Sequence, residues 1–587
     1  MLNAQSIGSV ALDTIGINGL DSQTTATALG NEWFTKANNI TYTEGGKVTF
    51  RKGLKQGTLS ASAKIGSIVE HIAATDTKQF VSYAGTVAEL DLADKDNAFI
   101  NTYAPAGVTT SDWQWQNFNN KLVGVQDGGI KPILYNAGTW EYLQDIVDTT
   151  ASGTIINAGS FSIGTRYEIS TVGSTDFTLI GASANTIGIH FIATGVGAGS
   201  GIAYEGATLP EGLTTFDPSS ILSYYGRLWV GGVTEENDVI HYSALLDESQ
   251  WYTATGSTDA GYIDLKTVWG KDEIVALHAY AGKLVIFGKE NIAIYNDPQA
   301  VGVMALEEVV RGIGCVARDS IQAIGEDIYF LSETGVRSLK RTATFDKLPL
   351  QEISPTIKDE LLANIKTGSD VKSVYVANEG LYLLTFVTQN VTYVFDLTYP
   401  TPKETPRVTK WSFDGDRHPA SMAYTDEYGL LVGQTLGRVA TYQGYWDADY
   451  SGSNVYANNP YTSGISTVWI DLGQGVVASI LKRMIMLVSG GQGSDVGLRL
   501  YKDFEQSPKL SPTFTLNPAL SGTPALYGAA ASLFGAAKYA PIHGLKEHSI
   551  PLAGSAKYLR LEMDAVTSGY KASLQSISLL YKQGKTL

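Results

Sequence analysis

Residues 282–295 read GKLVIFGKENIAIY: a glycine and a lysine, an apolar run, a polar break, then a second short apolar run ending in tyrosine. Two strand-forming runs separated by turn residues are the sequence form of a hairpin. The fold turns on whether this hairpin stands alone or recurs, and it recurs. Residues 277–295, LHAYAGKLVIFGKENIAIY, slide without a gap onto 321–339, IQAIGEDIYFLSETGVRSL, at a constant offset of 44. Leu277 meets Ile321, Ala279 meets Ala323, Leu284 meets Ile328 and Ile292 meets Val336. The stretch 221–230, ILSYYGRLWV, joins the same register at an offset of 56, pairing Tyr224 with Tyr280, Gly226 with Gly282 and Leu228 with Leu284.

Looser copies occur at 78–92, 120–135, 379–397 and 428–442. With Phe80, Leu122, Leu228, Leu284, Ile328, Leu381 and Leu430 as anchors, successive intervals are 42, 106, 56, 44, 53 and 49 residues. All but one match the roughly 40–50 residues of a four-stranded propeller blade. The long interval contains residues 152–205, 54 residues almost free of charge, and their removal leaves an ordinary 52. A piece of this kind is expected at an exposed loop tip, where joining two close ends costs little.

The expected fold is therefore all-β: a β-propeller of six or seven blades with an inserted small β domain and a C-terminal β-sandwich. The expected divisions are 1–60, a strand segment leading into the propeller; 61–151, its first part; 152–205, the insert; 206–455, the remainder; and 456–587, the sandwich. Long alternating segments such as STVWIDLG, LKRMIMLVSGG, VGLRLYKDF, KYLRLEMDAV and SLQSISLLYK support the last of these. One helix is expected after a Ser354 cap, with Pro355 in its first turn and a stripe of Ile357, Leu361, Leu362 and Ile365 ending near Gly368.

Composition agrees. The 587 residues exceed what one core can serve, so two to four domains are expected. Sixty-two glycines, 32 tyrosines and a charged fraction of only 17% favour strands and turns. The single cysteine, Cys315, has no partner for an internal disulfide, and its setting, GIGCVARDS, reads as a buried structural thiol. No cationic segment followed by an apolar stretch opens the chain, and no apolar run approaches the ~18 residues of a spanning helix. The expectation is a soluble protein without a signal peptide and without membrane insertion.

Signs of catalysis are weak. His543 and His548 in HGLKEH are five apart in a segment read as loop, and zinc needs a fuller ligand set. His278 occupies the strand position equivalent to Gln322. Asp145, Asp148, Asp414 and Asp416 fall in turn-like contexts, where aspartate bonds to its own backbone. GVGAGSG (195–201) opens no helix of a βαβ unit, and SGGQGSD (489–495) lacks the Gly-Lys-Ser/Thr ending that cradles phosphate; both read as hairpin turns. LYGAAAS and LFGAAKY (526–539) form a low-complexity pair, read as a flexible or partner-bound loop whose apolar tip could meet another subunit or a membrane. No catalytic, cofactor-binding or metal-binding residue is assigned, and no cofactor is expected.

The formal net charge is −16 and no Lys/Arg run makes a phosphate-binding stripe, which disfavours tight sequence-independent DNA binding. Acidity does not exclude contact with DNA. A passage through which a duplex must slide is better lined by like charge, because cations would hold each phosphate.

The segment VRGIGCVARDSIQAIGEDIYFLSETGVRSLKR (310–341), with 277–295 before it, resembles the propeller of the tail nozzle, or tail tubular protein B, of short-tailed, podovirus-like phages. So does the early pattern containing Trp33, Asn38, Asn39, Arg51 and Gly53. The closing RLEMDAVTSGYKASLQSISLLYKQGK resembles the C-terminal β domain of related hub and DNA-stabilising tail proteins, and the insert is similar to a small β module of phage tail and fibre proteins. This chain is shorter than the larger nozzles, so some of their peripheral domains are expected to be missing.

The resemblance implies a non-enzymatic virion protein of the phage tail, assembled in the host cytoplasm. It implies a homohexameric ring, with an adaptor protein above it, fibres or spikes and a distal plug or needle attached, and a channel for double-stranded DNA ejection. A carbohydrate-binding or carbohydrate-cleaving propeller, marked by a paired-carboxylate pocket, and a host-adhesion scaffold are the alternatives.

Overall fold

The computed structural model describes residues 7–12, 14–43, 45–57, 61, 63–74, 77–91, 98–143, 155–182, 184–187, 189–206, 213, 215–251, 258–340, 352–367, 370–413, 415–445, 447–450, 456–472, 477–491, 493–516, 545–567 and 569–583. The chain forms two compact units, residues 61–352 and residues 1–60 with 353–587.

Every repeat found in the sequence is a blade. In the first unit, blade 1 is the antiparallel meander of strands Ile65–Ile72, Thr77–Tyr83, Thr86–Asp91 and Ala98–Tyr103, and blade 2 that of Gln114–Phe118, Lys121–Val125, Ile133–Asn136 and Thr139–Tyr142. Blade 3 is Ser220–Tyr224, Arg227–Gly231, Val239–Tyr242 and Gly261–Asp264. Blade 4 is Ile274–Tyr280, Lys283–Gly288, Asn291–Asn296 and Ala305–Arg311. Blade 5 shows, among the described residues, the strands Gln322–Ile324, Asp327–Ser332 and Gly335–Ser338.

The second unit holds blade 6, strands Val371–Val376, Leu381–Phe386, Val391–Asp396 and Arg407–Trp411. It also holds blade 7, made of Pro419–Thr425, Gly429–Gln434, Val439–Tyr442 and, from far upstream, Leu54–Gln56. Seven blade-type sheets thus lie among the described residues. Each of the seven anchors sits in the second strand of its blade and is buried.

The register repeats as well as the pattern. Ala279 faces Leu284 and Phe287 faces Ile292 in blade 4. An offset of 44 turns these into the observed pairs Ala323–Ile328 and Leu331–Val336 of blade 5. Two-residue turns fix the register, and those of blades 3 and 4 share one conformation. Ala281 and Gly282 between the first two strands have φ of 48° and 82°, and Tyr225 and Gly226 in blade 3 have 47° and 70°. Two successive positive φ values make the tight turn whose twist matches the flanking strands.

Burial explains why the blades stack. Phe80, Val87, Leu122 and Ile133 join blades 1 and 2, and Val123, Val125, Ile221 and Leu228 join blades 2 and 3. Trp229, Ile240, Leu284 and Ile286 join blades 3 and 4, and Val285, Phe287, Ile328 and Phe330 join blades 4 and 5. In the other unit, Leu381, Leu383, Leu430 and Val432 join blades 6 and 7. A blade strand is buried on both faces, so second strands read as continuous apolar runs, as in VIFG of blade 4. Arg318, half-buried before blade 5, donates to the carbonyls of Ser219 at 2.5 Å and Asp112 at 3.0 Å, ahead of blades 3 and 2. One side chain ties three blade entrances together.

The insert is a four-stranded sheet of Ile155–Asn157, Arg166–Thr171, His190–Ile192 and Ile202–Gly206, with a core of its own around Phe161, Tyr167, Phe177 and Phe191. Its first and last strands pair, Ile155 facing Tyr204.

Two long strands, Ser479–Gly490 and Ala572–Gln583, form the centre of one sandwich sheet, and Tyr461–Thr467, Tyr558–Thr567 and Asp495–Lys502 the centre of the other. Met486, Val488, Met563 and Ala565 from the two sheets line a small apolar gap of about 30 Å³.

Several expectations are corrected. The strands of residues 1–60 are shared out: Ile7–Leu12 and Val48–Phe50 pair with Ala572–Gln583, Phe34–Asn38 pairs with Tyr461–Thr467, and Leu54–Gln56 belongs to blade 7. Alternating strands can be placed on any edge with a matching apolar face, and the sandwich supplies it. HGLKEH is not all loop, because Leu545–Pro551 is a strand on Ser479–Gly490.

Neither glycine-rich stretch is a hairpin turn. Residues 195–201 join strands separated by Arg166–Thr171, and 489–495 carry the chain from one sandwich sheet to the other. Glycine permits positive φ in such crossings as readily as in hairpins, and Gly490, Gly491 and Gly493 all adopt it. The helix begins as a 3₁₀ turn, Pro355–Ile357, and continues as Lys358–Lys366. Only Ile357 and Leu361 of its stripe are fully buried, and Gly368 lies outside the described residues.

Candidate functional site: a buried arginine joint and the cleft beside it

The early motif converges on one point. Asn39 takes a left-handed conformation, φ 54°, that turns the chain between strands Phe34–Asn38 and Ile40–Tyr42; asparagine tolerates this better than most residues. Its Oδ1 accepts from Arg51 Nε and from the Ser412 backbone N–H, both at 3.0 Å, and its Nδ2 donates to the Thr462 carbonyl at 2.8 Å. Arg51 is fully buried, donates to the Lys52 carbonyl at 2.7 Å, and lies 3.9 Å over the Tyr461 ring and 4.5 Å from that of Phe413. Two ring faces and fixed acceptors replace the water that the cation loses. The Tyr461 hydroxyl donates to the Arg51 carbonyl.

Neighbouring motif residues complete the joint. Asn38 Nδ2 donates to Ser412 Oγ at 3.0 Å, and Gly53 exchanges backbone bonds with Gln443 and Gly444, each 3.0 Å. Trp33 is buried, with the Lys403 ammonium 5.4 Å above its ring. Strand Phe34–Asn38 joins the last strand of blade 6 to the sandwich, so one ten-stranded sheet runs through both.

Beside the joint opens a cleft of about 940 Å³. Arg407 is buried behind the lining residues Asp396, Thr398, Tyr42 and Tyr399, and donates to Asp396 at 2.5 Å and Thr398 at 2.9 Å, its guanidinium 4.3 Å from the Tyr42 ring and 5.3 Å from that of Tyr399. Asp396 and Arg407 face each other across an antiparallel pair, the spacing at which opposite charges meet. The second carboxylate, Glu379, is bound by Lys52, whose ammonium is 5.6 Å over the Tyr442 ring. Tyr442 stacks on Trp411, centroids 5.2 Å apart, and accepts from the Lys52 backbone N–H at 3.1 Å.

Tyr42 donates to the Gly16 carbonyl at 2.7 Å. Burial pushes the hydroxyls of Tyr42 and Tyr442 well above their ordinary range, so both stay protonated. Asp396 and Glu379 both line the cleft, each bound to its own cation. They present neutralised acceptors rather than an acid set against a base. Arg407, Asp396 and Tyr399 gave no sequence signal; only the register of their hairpin brings them together.

The other sequence candidates are dispersed. His278 Nδ1 lies 2.8 Å from the Ala279 carbonyl, and burial lowers its pKa. His548 faces Met486 in the sandwich, 5.2 Å from the Phe514 ring. Cys315 is buried, its Sγ 3.2 Å from the Ala317 carbonyl. His543, Asp145, Asp148, Asp414 and the loop 526–539 lie outside the described residues, and Asp416 belongs to the 3₁₀ turn Gly415–Arg417.

No family model matches this chain, and no curated protein matches it in sequence. Among solved structures, the WD40 domain of Pan2 from Neurospora crassa aligns with 65% of this chain and 88% of its own, at 6% identity and a TM-score of 0.33.

Proposed function

We propose that this chain is a structural subunit of a short-tailed phage tail, a nozzle or hub protein that assembles as a ring around a conduit for double-stranded DNA and anchors other tail parts. The observation that carries this reading is the joint. Trp33, Asn38, Asn39, Arg51 and Gly53, which bear the resemblance to tail nozzles, are buried or hydrogen-bonded where blade 6, blade 7 and the sandwich meet. A sheet continuous from blade to sandwich suits a part that must keep its shape under internal pressure. The net charge of −16 fits a passage and argues against a clamp on DNA. Cyclic symmetry would let a chain of this size enclose a lumen wider than any propeller axis.

Mass photometry of the purified protein, with electron microscopy of the virion, tests the reading. A ring, expected to be hexameric, located in the tail supports it. A strict monomer that never enters tail particles overturns it.

A further inference from the structure

We propose that the cleft beside the joint binds a neutral carbohydrate, with Tyr399 as its stacking platform. The inference stands on the chemistry of the cleft and goes beyond the structural role proposed above.

The mixture of donors and acceptors weighs against the obvious competitors. Lys52 and Lys571 line the cleft together with Glu379 and Asp396, so its lining mixes cations with carboxylates, and with Arg407 behind Asp396 a single positive charge is left over. Both carboxylates are neutralised locally, Glu379 by Lys52 and Asp396 by Arg407. A phosphate or sulfate ester would meet acceptors as well as donors, and a cation would meet carboxylates already taken. An apolar ligand would strand these groups without water. A ligand that is uncharged and carries many hydroxyls both donates to the carboxylates and accepts from the lysines.

The aromatic part is built and fixed. Tyr399 is 51% exposed, yet the Arg407 guanidinium lies 5.3 Å from its ring, and that guanidinium is itself fastened to Asp396. One ring face is thus backed by a rigid cation while the side chain still opens to the cleft. The apolar C–H face of a pyranose meets the negative face of such a ring favourably. Exposed Asn378 adds a carboxamide that both donates and accepts. The cleft volume falls in the upper part of the roughly 300–1,000 Å³ of ligand sites, room for more than one sugar ring.

Saturation-transfer NMR and calorimetry on the full chain test this with maltohexaose, mannohexaose and N-acetylchitohexaose as neutral probes and a heparin hexasaccharide as the charged control. At least one neutral probe is expected to bind. Tyr399→Ala should weaken it by about tenfold or more and Tyr399→Phe by less than about twofold, since stacking and not the hydroxyl is at issue. Circular dichroism checks that both variants fold.

Binding of none of the neutral probes, preference for the heparin fragment, or binding untouched by Tyr399→Ala each overturns the proposal. Loss of assembly in Tyr399→Ala without sugar binding overturns it too, by making the cleft a contact between copies. Ring formation by a wild-type protein that binds no sugar would leave the tail reading intact, so the two can fail separately.

Discussion

The guanidinium of Arg51 lies 3.9 Å over the ring of Tyr461, joining two residues 410 positions apart in the chain. Lysine keeps the charge at this position but loses the planar fork that stacks on Tyr461 and reaches Asn39. Arg51→Lys is expected to cost about 3 kcal/mol, the sum of a desolvated cation–π contact and a charge-assisted hydrogen bond. Scanning calorimetry should show the loss in the transition of the unit that contains the sandwich. An unchanged transition would mean that the joint contributes nothing to stability.

Excision of residues 152–205 should leave the remainder folded. The insert's first and last strands pair, with Ile155 opposite Tyr204, so its ends emerge side by side, and its aromatic core is its own. A short Gly-Ser bridge then closes a small gap at little entropic cost. The far-ultraviolet spectrum per residue and the main melting temperature are expected to stay close to those of the full chain. Aggregation or loss of the cooperative transition on excision would show that the insert supports the blades it interrupts.

Acid should destabilise the fold in two steps. His241 is buried in blade 3, and burial pushes its pKa down from 6.5 to about 4, outweighing the Glu236 carboxylate whose Oε2 lies 3.3 Å from Nε2; the Tyr262 ring is 6.3 Å away. Between these values the unfolded chain binds a proton that the folded chain refuses. Stability therefore falls as pH drops from about 6.5 towards 4, by up to about 3 kcal/mol. Glu562 acts lower. Burial works to raise its pKa, but hydrogen bonds from Arg499, Lys36 and Tyr501 hold it at about 2, so its contribution is lost as pH falls from 4.5 towards 2. Urea titrations across pH should show both losses, and His241→Phe should remove only the upper one.

Cys315 should be inert in the folded protein. Burial raises its thiol pKa to about 11, and the thiolate that would react is absent at neutral pH. A disulfide-exchange reagent such as DTNB is expected to leave the native protein unmodified and to titrate one thiol per chain in denaturant. Rapid native labelling would show that the segment around Cys315 opens.

The blades were legible because they are local. A hairpin closes within a few residues, its turn is encoded by residues such as Ala281 and Gly282, and burial on both faces makes its second strand a plain apolar run. The seven anchors, the shared register and the foreign piece at 152–205 follow from such short-range rules. The helix after Ser354 was legible for the same reason, although its first turn is 3₁₀ and its burial rests chiefly on Ile357 and Leu361. Polar stretches were less so: a strand such as Leu545–Pro551, most of it exposed, carries no apolar stripe to announce it.

The sequence by itself determined the repeating sheet, its turns and the alternation that buries its faces, since each depends on neighbours a few residues away. Only the tertiary structure decided where the ends of the chain go. Leu54–Gln56 completes blade 7, Phe34–Asn38 bridges blade 6 to the sandwich, and Arg51 and Arg407 find their aromatic partners through that placement. An unpaired strand edge offers the same backbone donors and acceptors wherever it lies. Which edge a distant strand takes is settled by the packing of the whole unit, and no pattern along the chain records it.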